Sequence, residues 1–268
     1  MLLYLATKSG LKIAEQVSDD WRVVGKGLAG QHVTSVIARE GVILAGTTNG
    51  IFRSDDGGVY WFEVSNGLNV RHVRWMAFHP DISDCEFAGT EPAGLFVSQD
   101  GGEAWQERLE VADLRDQFEW WLPYSPEAGC VRGFAFHGSR AYAAVEVGGL
   151  LRSDDGGVSW ALAEGSNGRP QFITPTSGNL HADVHSVAVH PSSADLVFAP
   201  TGGGFYVSQD GGASWDLRYP NCYVRAVWVD PADPARMVLG PAKNSSGRTG
   251  RIEVSHDGGM RWEETAVS

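Results

Sequence analysis

Five times in 268 residues the chain writes nearly the same eight-residue phrase. SDDGGVYW begins at Ser54, SQDGGEAW at Ser98, SDDGGVSW at Ser153, SQDGGASW at Ser208 and SHDGGMRW at Ser255. All five share Ser-x-Asp-x-Gly-x-x-Trp, and their starts lie 44, 55, 55 and 47 residues apart. A regular recurrence of that length points to one supersecondary unit stacked repeatedly, with about four short strands per unit.

The flanks of the phrase repeat as well. Just upstream stand a Gly and a short apolar run (GIFR, GLFV, GLLR, GFYV), preceded by runs ending in small residues (VILAGTTNG, CEFAGTEPAG, AYAAVEVGG, LVFAPTGGG). Before those come HVTSVIA, HVRWMAFHP, CVRGFAFHG, VHSVAVHP and YVRAVWVDP. Each module therefore reads strand A, strand B, strand C, phrase, strand D, with D starting at the phrase's Trp. The phrase is expected to be a hairpin turn. Ser and Asp close a turn by bonding nearby backbone N–H groups, glycine permits positive φ, and Trp packs back over the turn. This assigns a structural role to Ser54, Asp56, Gly58 and Trp61, and to Ser98, Asp100, Gly102 and Trp105. The same role falls to Ser153, Asp155, Gly157 and Trp160, to Ser208, Asp210, Gly212 and Trp215, and to Ser255, Asp257, Gly259 and Trp262.

The phrase resembles the Asp-box, or BNR, repeat of sialidases, certain endoglucanases, the sortilin ectodomain and a photosystem assembly factor. That resemblance covers almost the whole chain and implies an all-β fold: a single β-propeller of about six four-stranded blades. It does not specify a function, because such a fold hosts many. Within that family the repeated boxes lie on the blade periphery, away from the central pocket.

As one propeller domain over 1–268, the chain divides into modules near 1–31, 32–70, 71–111, 130–168, 184–221 and 222–268. The first lacks its strand A. No segment is evident to supply it, so either the first blade is short or a seventh blade lies outside this chain. Inserts at 112–129 and 169–183 interrupt the period at D-to-A junctions, where long loops on a rigid scaffold carry binding.

The net charge of −12 argues against phosphate-backbone partners, so no nucleic acid is expected. Three cysteines, Cys85, Cys130 and Cys222, are odd in number and widely spaced, which supports neither a disulfide framework nor a zinc cluster. The opening MLLYLATKSG is too short in apolar residues for a signal or membrane span and reads as a strand. A cytoplasmic protein with no membrane partner is expected.

Aligning the A strands on their Val places Thr34, Arg74, Arg132, His185 and Arg225 in one column. Strand A is innermost in a propeller, so Arg74, Arg132, His185 and Arg225 are candidate ligand-binding residues at the channel mouth. Converging guanidinium groups suit a carboxylate or phosphate. Alternatively each pairs with a local acid such as Asp113, Asp116, Glu119 or Asp183. The insert DQFEWWLPY adds Trp120 and Trp121 as candidate sugar-stacking rings; the other reading has one cap the core while its neighbour packs the loop. Asp116, Glu119 and Tyr124 are candidate catalytic groups by proximity alone. His181, Asp183 and His185 alternate in HADVH and would be the ligands of a metal if one were held. A lone alternating triplet is better read as hydrogen-bonded polar residues at a channel mouth, and neither metal nor cofactor is expected.

Three functions remain open: binding of an anionic small molecule or acidic sugar, glycoside hydrolysis, and a protein-interaction or assembly scaffold. Sialidases, by the resemblance, hold a substrate carboxylate with three Arg from separate blades. They also carry an N-terminal Arg-Ile-Pro-type motif, which this chain lacks. The large Asp-box endoglucanases use two propellers and an open cleft. The assembly factor uses an Arg-rich face to hold its partner.

Overall fold

The computed structural model describes residues 1–120, 129–170 and 175–265. It contains six antiparallel sheets. The first has three strands, Leu2–Thr7, Gly10–Val17 and Asp20–Gly27. The other five have four strands in the A-B-C-D order read from the sequence. In the second sheet these are Val33–Arg39, Val42–Thr47, Gly50–Ser54 and Phe62–Glu63. The third has Val73–Phe78, Glu86–Thr90, Leu95–Ser98 and Gln106–Glu107. The fourth has Val131–His137, Arg140–Val145, Gly149–Ser153 and Ala161–Leu162. The fifth has Ala188–Val189, Val197–Thr201, Gly204–Ser208 and Asp216–Pro220, and the sixth Tyr223–Asp230, Asp233–Ala242, Glu253–Ser255 and Glu263–Glu264. A helix at Leu109–Phe118 departs from the all-strand pattern and takes up the start of the first insert.

The chain falls into two compact units, Met1–Leu109 with the first three sheets and Glu110–Ser268 with the last three. Within each, successive sheets bury apolar side chains against one another. Leu44, Ile51, Met76 and Phe96 join the second and third sheets; Tyr142, Leu150, Val197 and Tyr206 join the fourth and fifth. Phe198, Phe205, Met237 and Leu239 continue this into the sixth. The B strands are buried on both faces, as in Glu86–Thr90 and Val197–Thr201, and that explains their small residues. A side chain at Gly46 would put its Cβ 2.6 Å from Val73 Cγ1 of the following sheet.

Each repeated phrase forms the same turn between C and D. In the fourth sheet Ser153 Oγ donates to Asp155 Oδ1 at 2.7 Å and accepts the Gly157 N–H at 2.9 Å. Both bonds recur from Ser54, Ser98, Ser208 and Ser255. Gly58, Gly102, Gly157, Gly212 and Gly259 all take φ between 84° and 93°, a region closed to most side chains. Burial raises the Asp155 carboxyl, but hydrogen bonds from Ser159 and Ser153 outweigh it and draw the pKa down to about 2. The indole N–H groups of Trp61, Trp160 and Trp262 close on the carbonyls of Gly58, Gly157 and Gly259. Trp105 departs by donating to Val64 of the preceding sheet.

Ser153 is buried, so Ser153→Ala leaves the Gly157 N–H without its acceptor. The expected loss is about 1–2 kcal/mol of stability, read from urea melts.

Candidate functional site

The aligned column is a column of β-bulges. Pairing skips Thr34 between Val33 and Ser35, Arg74 between Val73 and Trp75, and Arg132 between Val131 and Gly133. One extra residue also lies between Val224 and Val227, where Arg225 stands. His185 follows the Val184–Thr201 bridge on a stretch one residue longer than its partner up to Ala188–Phe198. A bulge leaves one residue out of the ladder and re-aims its side chain, so the same device places all five groups.

In the first unit Thr34 Oγ1 lies 2.6 Å from the Val73 carbonyl oxygen, tying neighbouring sheets, and Arg74 Nε pairs with Glu91 at 3.3 Å. In the second unit Arg132 Nη1 donates to Glu146 Oε2 at 2.7 Å, and the Cys130 thiol donates to the same oxygen at 3.2 Å. Glu91 and Glu146, and not the acids of the inserts, are the local partners of these arginines. Both stand one residue past strand B, in TEP and VEV. Aligning the ends of the B strands, instead of the starts of the A strands, brings them into register.

The next sheet has Gly202 at that position. A Cβ there would lie 2.1 Å from Asp183 Oδ2, so glycine leaves the room that the Asp183 carboxylate fills. His185 is fully buried at its side chain, and its Nε2 is 3.2 Å from Asp183 Oδ2. On the other side His185 Nδ1 lies 2.6 Å from the Val224 carbonyl oxygen, an acceptor that places the proton on Nδ1. The Tyr223 ring packs on His185 with centroids 4.3 Å apart, and the Arg225 guanidinium lies 5.1 Å from the centre of the same ring.

Burial raises the Asp183 carboxyl, but contact with His185 and the charges of His181 and Arg132 outweigh it and hold it below the usual range. Burial pushes the Tyr223 phenol up to about 12, with Asp183 adding to the effect, so the phenol is neutral and can donate. The cluster thus offers cationic donors, carboxylate acceptors, an imidazole and an aromatic face within one unit.

Other candidates lie elsewhere. His181 is buried, with Nδ1 accepting the Asp183 N–H at 3.1 Å. Asp116 pairs with its neighbour Arg115 on the exposed helix, and Glu119 follows the helix at φ 52°. Trp120 is 0% exposed and donates its indole N–H to Gly168 O at 2.6 Å, so it caps the core and is closed to a ligand. Trp121 and Tyr124 lie outside the described residues. Arg225 donates to the Ser245 carbonyl at 3.2 Å and has no acidic partner among the described residues.

No family model matches the chain. An oligoxyloglucan-reducing end-specific xyloglucanase of Emericella nidulans is 24% identical over 243 residues, covering 75% of this chain and 28% of the enzyme. Among solved structures, an ancestral GH74 enzyme matches 93% of this chain and 33% of its own, with TM-score 0.68 and 20% identity. YCF48 bound to D1 peptide matches 98% of this chain and 77% of its own, with TM-score 0.63 and 14% identity. The chain spans about a quarter of the xyloglucanase and a third of the GH74 enzyme. With six blade-like sheets, these likenesses identify the fold as a β-propeller.

Proposed function

We propose that this propeller is a binding protein for an acidic saccharide, held at the bulge cluster of the second unit. The observation that carries this is Arg225, set over the Tyr223 ring with no acidic partner among the described residues, while Arg132 is matched by Glu146. An unmatched guanidinium beside an aromatic face suits a sugar carboxylate and its ring. Asp183 and Glu146 accept from hydroxyls, and Arg132 and Tyr223 donate to them. The similarity to an oligoxyloglucan-reducing end-specific xyloglucanase supports a sugar as the ligand class.

Calorimetry with uronic-acid oligosaccharides and their neutral counterparts tests the assignment. The acidic series is expected to bind, and Arg225→Gln to weaken it about 10–100-fold, the worth of one charge-assisted hydrogen bond. Equal affinity for the neutral series, or an unchanged Arg225→Gln, overturns it.

A second reading, capture of a peptide or protein, rests on the match to most of the length of peptide-bound YCF48. It predicts that an acidic peptide competes for the site and that Arg225→Gln releases it. Hydrolysis is the third, supported by the xyloglucanase similarity. It predicts reducing-sugar release from xyloglucan oligosaccharides that stops in Asp183→Asn.

A further inference from the structure

We propose that Glu146, Asp183 and His185 form a binding site for a divalent transition-metal ion of the zinc type. One nitrogen or oxygen from each of these side chains lies within 4.8 Å of the other two, and all three residues belong to the second unit. Two observations beyond this proximity point to an ion. His185 is 2% exposed and Asp183 8%, yet His185 Nε2 and Asp183 Oδ1 have no hydrogen-bond partner among the described residues. Buried polar atoms without partners are uncommon and call for a cause.

The second observation is the direction of the imidazole. With Nδ1–H donated to the Val224 carbonyl, the neutral tautomer of His185 would turn its lone pair at Nε2 toward Asp183. That lone pair meets the Asp183 carboxylate 3.2 Å away, in a contact that meets the distance but not the direction of a hydrogen bond. Either a proton on Nε2 or a metal ion between the two atoms would reconcile them, and the contact lacks the direction that a proton-bridged hydrogen bond requires. Nitrogen and oxygen ligands about 2.0–2.2 Å from a tetrahedral zinc sit roughly 3.3–3.5 Å apart, close to the observed spacing.

The supports of a metal site are also present. A ligating histidine typically donates its other N–H to a carbonyl, as His185 does to Val224. Glu146 Oε2 is held by Arg132 and Cys130, while Oε1 has no hydrogen bond among the described residues and is available to the ion. Gly202 makes the space that lets the Asp183 carboxylate in. One histidine and two carboxylates leave a fourth position for water or a ligand oxygen. His181 is not in this set, because its Nδ1 is engaged by the Asp183 N–H. The site stands independently of the saccharide reading, because the ion is tested on the protein without any sugar.

The test is calorimetric titration of chelator-treated protein with zinc chloride at pH 7.5, with stoichiometry checked by elemental analysis. One ion per chain is expected, with affinity falling at least about 100-fold in His185→Gln and in Asp183→Asn. His181→Gln, at a residue that supports Asp183 without ligating the ion, is expected to weaken binding less than either ligand variant. Circular dichroism and thermal melts of each variant separate loss of the site from loss of the fold. Gly202→Ala gives an independent check, since it displaces the Asp183 carboxylate while keeping all three ligands. No zinc binding by the wild-type protein overturns the proposal. So does binding unchanged in folded His185→Gln or Asp183→Asn, which would assign the ion to other residues.

Discussion

Trp120→Ala is expected to lower stability by about 3–5 kcal/mol, the usual range for removing a large buried aromatic side chain. The residue is fully enclosed, and its indole N–H reaches the Gly168 carbonyl at 2.6 Å. The backbone at Gly148 lies flat against its ring, where a Cβ would come 2.7 Å from Trp120 Cε2. Gly148 belongs to the same turn as Glu146, so the ring also backs the segment that carries this carboxylate. The change removes ring contacts on several sides and leaves the Gly168 oxygen without its donor. Trp120→Phe should recover part of the packing but not the hydrogen bond, and should fall between the two. Urea unfolding reports both losses. A loss below about 1 kcal/mol for the alanine variant would contradict the enclosed position.

Glu86→Gln is expected to stabilise the protein at pH 8 and to do little near pH 4. Glu86 is buried in the B strand of the third sheet, with Oε2 lacking a hydrogen-bond partner among the described residues. Burial pushes its carboxyl up from 4.5 to about 7, only partly offset by Ser98 and Arg39. Below about pH 4.5 folded and unfolded chains both hold the proton, and Glu86 contributes no pH dependence. Between about 4.5 and 7 the unfolded chain releases the proton while the folded one keeps it, so stability falls as pH rises. Above about 7 the loss is complete. At 1.36 kcal/mol per pKa unit the rise from 4.5 to about 7 corresponds to about 3 kcal/mol. Glutamine, always neutral, removes that loss. Denaturant melts of both proteins at pH 4 and pH 8 measure it, and an equal difference at the two pH values would exclude a titrating Glu86 as its source.

Much of the fold was legible because its signal is local and repeated. The Ser, Asp and Gly of each phrase bond within five residues, so spacing alone predicted the turn from Ser153 to Trp160. Alternating apolar runs predicted A, B, C and D in order, and the missing strand of the first sheet. The helix at Leu109–Phe118 was not expected, since it has little apolar face and a single buried residue, Val111. It therefore carries almost no periodic signal.

For the site, the sequence alone determined the column of Thr34, Arg74, Arg132, His185 and Arg225, because each follows the same Val in a repeated strand. It also placed Asp183 beside His185. Tertiary structure decided what these groups meet. Glu91 and Glu146 reach Arg74 and Arg132 only when strands A and B pair around a bulge. His185 meets Val224 only when the fifth and sixth sheets pack together. A hydrogen bond spanning 39 residues leaves no mark in local composition. Burial likewise separates Trp120, sealed in the core, from a ligand-facing ring of the same chemistry, because exposure belongs to the packed chain and not to the residue.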